Sequence, residues 1–239
     1  NIGSFDGRKE SHTEMWKACI FDLDGTLADT LESIAGIANR VLAYYGLSPQ
    51  PVEAFKRFAG DGGRKLMERC LLASGGSLDC LDEAERLYRT FFAADPLYQV
   101  EPYPGIPETL RALRERGLRL AVCSNKPHEA AVQVVEGLFG PDLFDFVQGQ
   151  VPELPRKPAP DSPLLLARRM GAAPEECLYA GDTNTDMDTG RAAGMYTVGV
   201  LWGFRDRAEL EAHEARRVIR RPEELLALLD ETEDEPERR

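Results

Sequence analysis

The sequence predicts a doubly wound parallel α/β sheet with an all-helical block inserted after its first strand. Three observations carry that prediction. Ala18 to Phe21 is an apolar run ended by Asp22-Leu23-Asp24-Gly25, as in a buried strand that runs into a turn. Between Thr30 and Pro102 the apolar spacing is helical, with no strand pattern. From Pro104 to Leu229 strands and helices alternate, which places a parallel sheet between two helical layers.

The helical block opens with Leu31 to Tyr45, apolar at Leu31, Ile34, Ile37, Val41, Leu42 and Tyr45 and stopped by Gly46. Pro51 begins a short helix through Phe55 and Phe58. Gly60, Gly62 and Gly63 form a loop, Arg64 to Leu72 is helical again, and Ser77 caps a helix reaching Phe92. In the alternating part, helices are expected over Ile106–Arg116, after Pro127, over Asp161–Met170, from Met187 to Ala193 and over Pro222–Leu229. The strands are Leu118–Cys123, Phe144–Gly149, Cys177–Ala180 and Met195–Leu201. The boundaries are residues 1–16 as an arm or tag, 17–30 and 102–230 as the core, 31–101 as the insertion, and 231–239 as an acidic tail.

Hydrophobic content of 43% and charged content of 29% are those of a soluble globular chain. A net charge of −12 argues against nucleic acid or an anionic membrane as partner. Five scattered cysteines without a CxxC predict reduced thiols, a cytoplasmic setting and no zinc site. No apolar stretch reaches membrane-spanning length, and no signal peptide is visible. A monomer or homodimer is expected.

Polar residues recur at one kind of place, the C-terminal ends of successive strands, where open parallel sheets bind ligands. Asp22 and Asp24 follow the first strand, Ser124 and Asn125 the second, and Asp182 a later one, while Lys157 lies in a loop after Phe144–Gly149. Side chains alternate along a strand, so Asp22 and Asp24 share a face. If the ligand is a phosphate, each type has a task. Asp22 can attack phosphorus. Asp24 can protonate the leaving oxygen and later activate water. Asp182, with Asp186 one helical turn on, can join Asp22 and Asp24 around Mg²⁺, a hard cation that takes oxygen ligands. Ser124, Asn125 and Lys157 can grip or neutralise the phosphoryl group. Taken singly, Asp182 reads as a helix cap and Lys157 as a loop lysine; the convergence outweighs those readings. An EF-hand is excluded by Met187 in the glycine place and Ala193 in the glutamate place. Gly60 to Lys65 lacks the Lys-Ser/Thr pair of a nucleotide P-loop.

The order of these motifs resembles the haloacid dehalogenase-like hydrolase superfamily. DLDGT at Asp22–Thr26 is similar to its first motif, Ser124-Asn125 to its second, Lys157 to its third and GDTNTD at Gly181–Asp186 to its fourth. The resemblance implies a Rossmann-like core, a helical cap over the site, Mg²⁺, and Thr26 among the substrate-binding residues. GDGGRKLMERCL, YPGIPETLRALRERGLRLAVCSNKP and VLWGF look most like the phosphoglycolate phosphatases. That implies hydrolysis of a small phosphate monoester, foremost 2-phosphoglycolate, through an aspartyl-phosphate. Dehalogenating members lack the carboxylate that Asp24 supplies. A sugar phosphomutase of the β-phosphoglucomutase type and a receiver-like phosphoacceptor are the alternatives. Specificity then belongs to the insertion, where Arg64 and Lys65, beside the glycine loop, are the expected grip on a substrate carboxylate.

Overall fold

The computed structural model describes residues 15–231. The expected N-terminal arm lies outside them up to residue 14, and the acidic tail lies outside them beyond Glu231. Trp16, placed in that arm by the sequence, belongs to the core: its ring meets Tyr196 edge-on at 5.3 Å.

Six parallel strands form the sheet: β1 (Ala18–Phe21), β4 (Arg119–Pro127), β5 (Phe146–Gln150), β6 (Cys177–Gly181), β7 (Tyr196–Val200) and β8 (Arg217–Ile219). Their order is β5-β4-β1-β6-β7-β8. The chain winds outward from β1 to β5, crosses back to β6 on the other side of β1, and winds outward again. That reversal opens a crevice at the strand C-termini. Alternation divides each central strand between two cores. Cys19, Phe21, Leu120, Val122, Leu178 and Ala180 face one side, and Ala18, Ile20, Ala121, Cys123, Cys177 and Tyr179 the other. Asp22 follows as the next residue of the second face.

The insertion is helical: α1 (Leu31–Tyr44), α2 (Phe55–Phe58), α3 (Gly63–Ala73) and α4 (Leu81–Ala94). Ser77 accepts a hydrogen bond from Asp79 N–H and caps the 3-10 turn that leads into α4. A pair of two-residue strands, β2 (Ala28–Asp29) and β3 (Glu101–Pro102), runs antiparallel where the chain leaves the core and returns. The sequence reading placed no strand between Thr30 and Pro102 and none at Ala28–Asp29; two residues are too few to show a period. The core helices are α5 (Ile106–Glu115), α6 (His128–Phe139), α7 (Asp161–Arg169), α8 (Asn184–Ala192), α9 (Arg207–Ala212) and α10 (Glu224–Asp230). The short α9 and β8 had no predicted counterpart. The buried face of α6 is Ala131, Val134 and Val135, with Val132 at its margin rather than its centre.

Candidate active site

The turn after β1 is tight because Leu23 O accepts from the N–H groups of Thr26, Leu27 and Ala28. It requires a left-handed residue at Gly25 (φ +85°), where a Cβ would also lie 2.2 Å from Asp182 Oδ2. Gly203 closes in from the far side: its Cβ would meet Gly25 O at 2.2 Å and Asp182 Cβ at 2.3 Å. The Trp202-Gly203 pair thus serves packing, and Trp202 Nε1 donates to Thr26 O at 2.9 Å.

Three of the four predicted metal-binding carboxylates come together. Asp22, Asp182 and Asp186 each offer an oxygen within 4.8 Å of the others, and all three are buried. Lys157 Nζ enters this group and donates to Asp22 Oδ1 at 3.0 Å, Asp186 Oδ1 at 2.8 Å and Cys123 O at 3.0 Å. Three carboxylates against one ammonium leave an excess of negative charge in a buried site. Burial, then Asp186, pushes Asp22 well above the usual carboxylate range, and Lys157 opposes the shift. Asp182 is pushed up to about 7 by burial and Asp186, while the Phe204 N–H and the Thr26 hydroxyl hold it down. Burial works against the Lys157 ammonium, but Asp186 and Asp22 prevail and raise its pKa. The donor set is hard oxygen and over-charged, which suits a divalent cation.

The sequence also put Thr26 on the substrate and Asp24 in the metal set. Thr26 is fully buried and its hydroxyl donates to Asp182 Oδ1 at 2.8 Å, so it orients a carboxylate instead. The Asp24 side chain lies outside the group of three and accepts from Lys126 Nζ with both oxygens, at 3.0 and 3.1 Å. Asp182 precedes the helix cap; Thr183 is the N-cap of α8 and closes a capping box with Asp186. That Ser/Thr-x-x-acid signal stood in the sequence and moves the start of α8 from Met187 to Asn184.

The strand β4 runs on past Cys123, with a register shift between Cys123 and Pro127. Ser124, Asn125 and Lys126 occupy this irregular segment and line the crevice. Asn125 clamps the loop after β5: its Oδ1 accepts from Lys157 N–H at 2.9 Å and its Nδ2 donates to Lys157 O at 3.2 Å. Its Nδ2 also reaches Gly60 O of the cap at 3.3 Å.

That last contact is one of four by which the core seats the loop Ala59–Gly62. Thr185 Oγ1 donates to Asp61 Oδ1 at 2.8 Å, Arg156 Nη1 to Asp61 O at 3.2 Å, and Arg205 Nη2 to Ala59 O at 3.3 Å. Arg69 holds the other Asp61 oxygen at 2.6 Å. Although burial raises the Asp61 pKa, Arg69 and Thr185 outweigh it and hold the carboxyl below its usual range. Between loop and strand ends lies a cavity of about 60 Å³, walled by Asp22, Asp24, Ser124, Asn125 and Lys126 below and by Gly60, Gly62, Gly63, Tyr88 and Arg89 above.

Arg64 and Lys65 are not brought to it. Arg64 pairs with Asp82 at 2.6 Å and Glu85 at 3.2 Å, and Lys65 with Glu68 at 2.8 Å, on the outer side of the cap. Both side chains are nearly half exposed. The cations in the cavity wall are Arg89 and Lys126, neither of which the sequence reading singled out. Lys126 follows Ser124-Asn125 directly, and that adjacency was the available signal.

A family model for haloacid dehalogenase-like hydrolases matches residues 16–194. The phosphoglycolate phosphatase of Aquifex aeolicus is 32% identical over 214 residues, covering 90% of this chain and 97% of its own. That of Rhodospirillum rubrum is 38% identical over 196 residues, covering 80% and 81%. A solved structure from Lactobacillus delbrueckii subsp. bulgaricus, provisionally named a phosphoglycolate phosphatase, matches with a TM-score of 0.84 at 31% identity, covering 90% of this chain and 98% of that one. The chain belongs to the haloacid dehalogenase-like hydrolase family. Within that family it is a phosphoric monoester hydrolase of the phosphoglycolate phosphatase-like group.

Proposed function

We propose that this enzyme is a cytoplasmic, Mg²⁺-dependent phosphatase of 2-phosphoglycolate that works through an aspartyl-phosphate on Asp22. The observation that carries the reading is the setting of Asp22. Its Oδ1 accepts from Leu23 N–H at 2.8 Å and from Lys157 at 3.0 Å, which leaves Oδ2 for attack from the cavity wall. An oxygen of Asp22 attacks phosphorus as the ester P–O bond breaks, and Asp24 gives its proton to the departing alkoxide. Water then attacks the aspartyl-phosphate, returns a proton to Asp24 and frees inorganic phosphate and Asp22. Lys157 fixes the nucleophile and balances charge throughout. Asp22, Asp182 and Asp186 would hold Mg²⁺, which when bound favours the ionised Asp22 and screens it from an anionic substrate.

The substrate assignment rests on the names of the relatives and on the cavity. About 60 Å³ is far below the range of about 300–1,000 Å³ that holds drug-sized ligands, so a short leaving group fits better than a nucleoside. The N-terminus of α3, whose Gly62 N-cap offers no side chain, opens onto the cavity beside Arg89 and suits a carboxylate. Four of the five cysteines are buried free thiols, which agrees with a reducing compartment. The test is a panel of phosphate monoesters with Mg²⁺ ranked by kcat/KM. The expected leader is 2-phosphoglycolate; a sugar phosphate or nucleotide in first place, or transfer to a second hydroxyl instead of water, would overturn the assignment.

A further inference from the structure

Lys126 is a buried cation at the site that the reaction steps above leave unused. Its Nζ donates to both oxygens of Asp24 and also lies 4.4 Å from the centroid of the Phe92 ring. The side chains of the pair are 7% and 18% exposed, so the contact is enclosed rather than a surface pairing. Asp24 stands on the turn after β1, whereas Phe92 belongs to cap helix α4. One ammonium therefore touches the acid of the core and an aromatic of the cap. The lysine is also part of the wall between the catalytic cavity and a second cavity of about 260 Å³ between α4 and α6.

The backbone beneath this side chain is fixed as well. Lys126 N–H donates to Ser124 Oγ at 3.1 Å, within the irregular segment of β4. A carboxylate gripped through both oxygens by one ammonium loses its rotation about Cβ–Cγ, and the ammonium is in turn held against the face of an aromatic ring. A general acid must stand within hydrogen-bond reach of the oxygen it protonates, so such a restraint acts on the rate and not on substrate binding.

We infer that Lys126 is a positioning residue for Asp24, and that Phe92 makes this positioning depend on the seated cap. The inference rests on Asp24 as the acid and base of the proposed reaction. With Lys126 in place, the Asp24 carboxyl is aimed at the leaving oxygen and later at the attacking water; with Phe92 in place, the lysine itself has only that orientation.

The test compares Asp24→Asn, Lys126→Met, Lys126→Gln, Lys126→Arg and Phe92→Leu with the parent enzyme in Mg²⁺. Two readouts are taken: the pre-steady-state burst of p-nitrophenolate, which needs no acid, and steady-state kinetics on 2-phosphoglycolate, which needs both acid and base. Lys126→Met and Lys126→Gln are expected to keep the burst within about threefold while kcat falls by about 10²-fold at unchanged KM, the low end of what general acid–base catalysis contributes. Lys126→Arg restores most of kcat, and Phe92→Leu shows the same split at smaller size. Folding is followed by thermal melting, and if both neutral lysine variants fail to fold, the presence or absence of the split in Phe92→Leu decides the inference. A raised KM with unchanged kcat would make Lys126 a binder of the substrate carboxylate and would overturn the positioning role. So would equal losses in burst and steady state, or no loss at all. Asp24→Asn separates the two layers of argument. If it loses both readouts equally, the acid–base reading of Asp24 fails; if it splits them and the lysine variants do not, only the inference about Lys126 fails.

Discussion

Lys157 and Arg64 are both cations that the sequence pattern assigns to one site, and the fold gives them opposite fates. Lys157 ends among three acids with its side chain 3% exposed, whereas Arg64 is 46% exposed and pairs with an Asp82 that is 88% exposed. Removing one partner of a buried, hydrogen-bonded ion pair costs about 3–5 kcal/mol, while a solvated pair is held only loosely. Charge in a loop clamped to a strand end, as Asn125 clamps Lys157, is fixed by the backbone that carries it. Charge on an exposed helix goes wherever its neighbours in the next helix draw it.

The sharpest way to break this contrast is Asp22→Asn. Phosphate release is expected to fall to background while the fold survives, because Asp186 still pairs with Lys157 at 2.8 Å; turnover that survives would remove Asp22 as nucleophile. Next in size is removal of the divalent cation. Asp182 is raised from 3.8 to about 7 and Asp22 is raised as well, so the metal-free fold binds more protons than the unfolded chain between about pH 4 and about pH 7. Stability contributed by these groups is therefore present at the acid end and lost as pH rises through that window. Asp61, shifted downward, contributes its own change below it. Melting in EDTA should occur at a lower temperature at about pH 8 than at about pH 5, and Mg²⁺ should erase most of the difference by binding the ionised form. A flat profile in EDTA would contradict the excess of buried negative charge.

Smaller effects test the cap. Asp61→Ala removes the Thr185 and Arg69 contacts that help seat the glycine loop, so KM for 2-phosphoglycolate should rise about threefold to tenfold, the worth of about one hydrogen bond. The smallest effect is expected from replacing Arg64 and Lys65 together with Ala. Because neither reaches the cavity, kcat/KM should stay within about twofold for every substrate of the panel. A large KM increase confined to 2-phosphoglycolate would return these residues to the substrate and remove the contrast with Lys157.

The same contrast explains what was legible in the sequence. The succession of strands along the chain, the insertion after the first of them, and the positions of Asp22, Ser124, Asn125 and Asp182 depend on strand ends, which alternation and turn residues mark directly, while Lys157 and Asp186 follow in the adjoining loop and helix. The role of Thr26 was not legible, because its hydroxyl serves Asp182, a residue 156 positions away. Nor was the pairing of Asp24 with Lys126, which needs β1 and β4 side by side. In the cap, helical period gives the buried face of α3 but not the partner of an exposed residue, so Arg64 turned to α4 and not to the loop.

The ribbon of β2 and β3 bears on how such an enzyme can change its substrate. Asp29 lies opposite Glu101 and Ala28 opposite Pro102, so the chain leaves and re-enters the core across a single strand spacing of about 5 Å. A two-residue hairpin turn would join those ends without disturbing either. Topologically the seventy-odd residues between them are a detachable module: they can be lengthened, shortened or exchanged while the register of all six core strands is kept. An enzyme wired in this way can alter which ester it accepts by evolving one contiguous stretch of sequence, and the phosphorus chemistry is inherited intact.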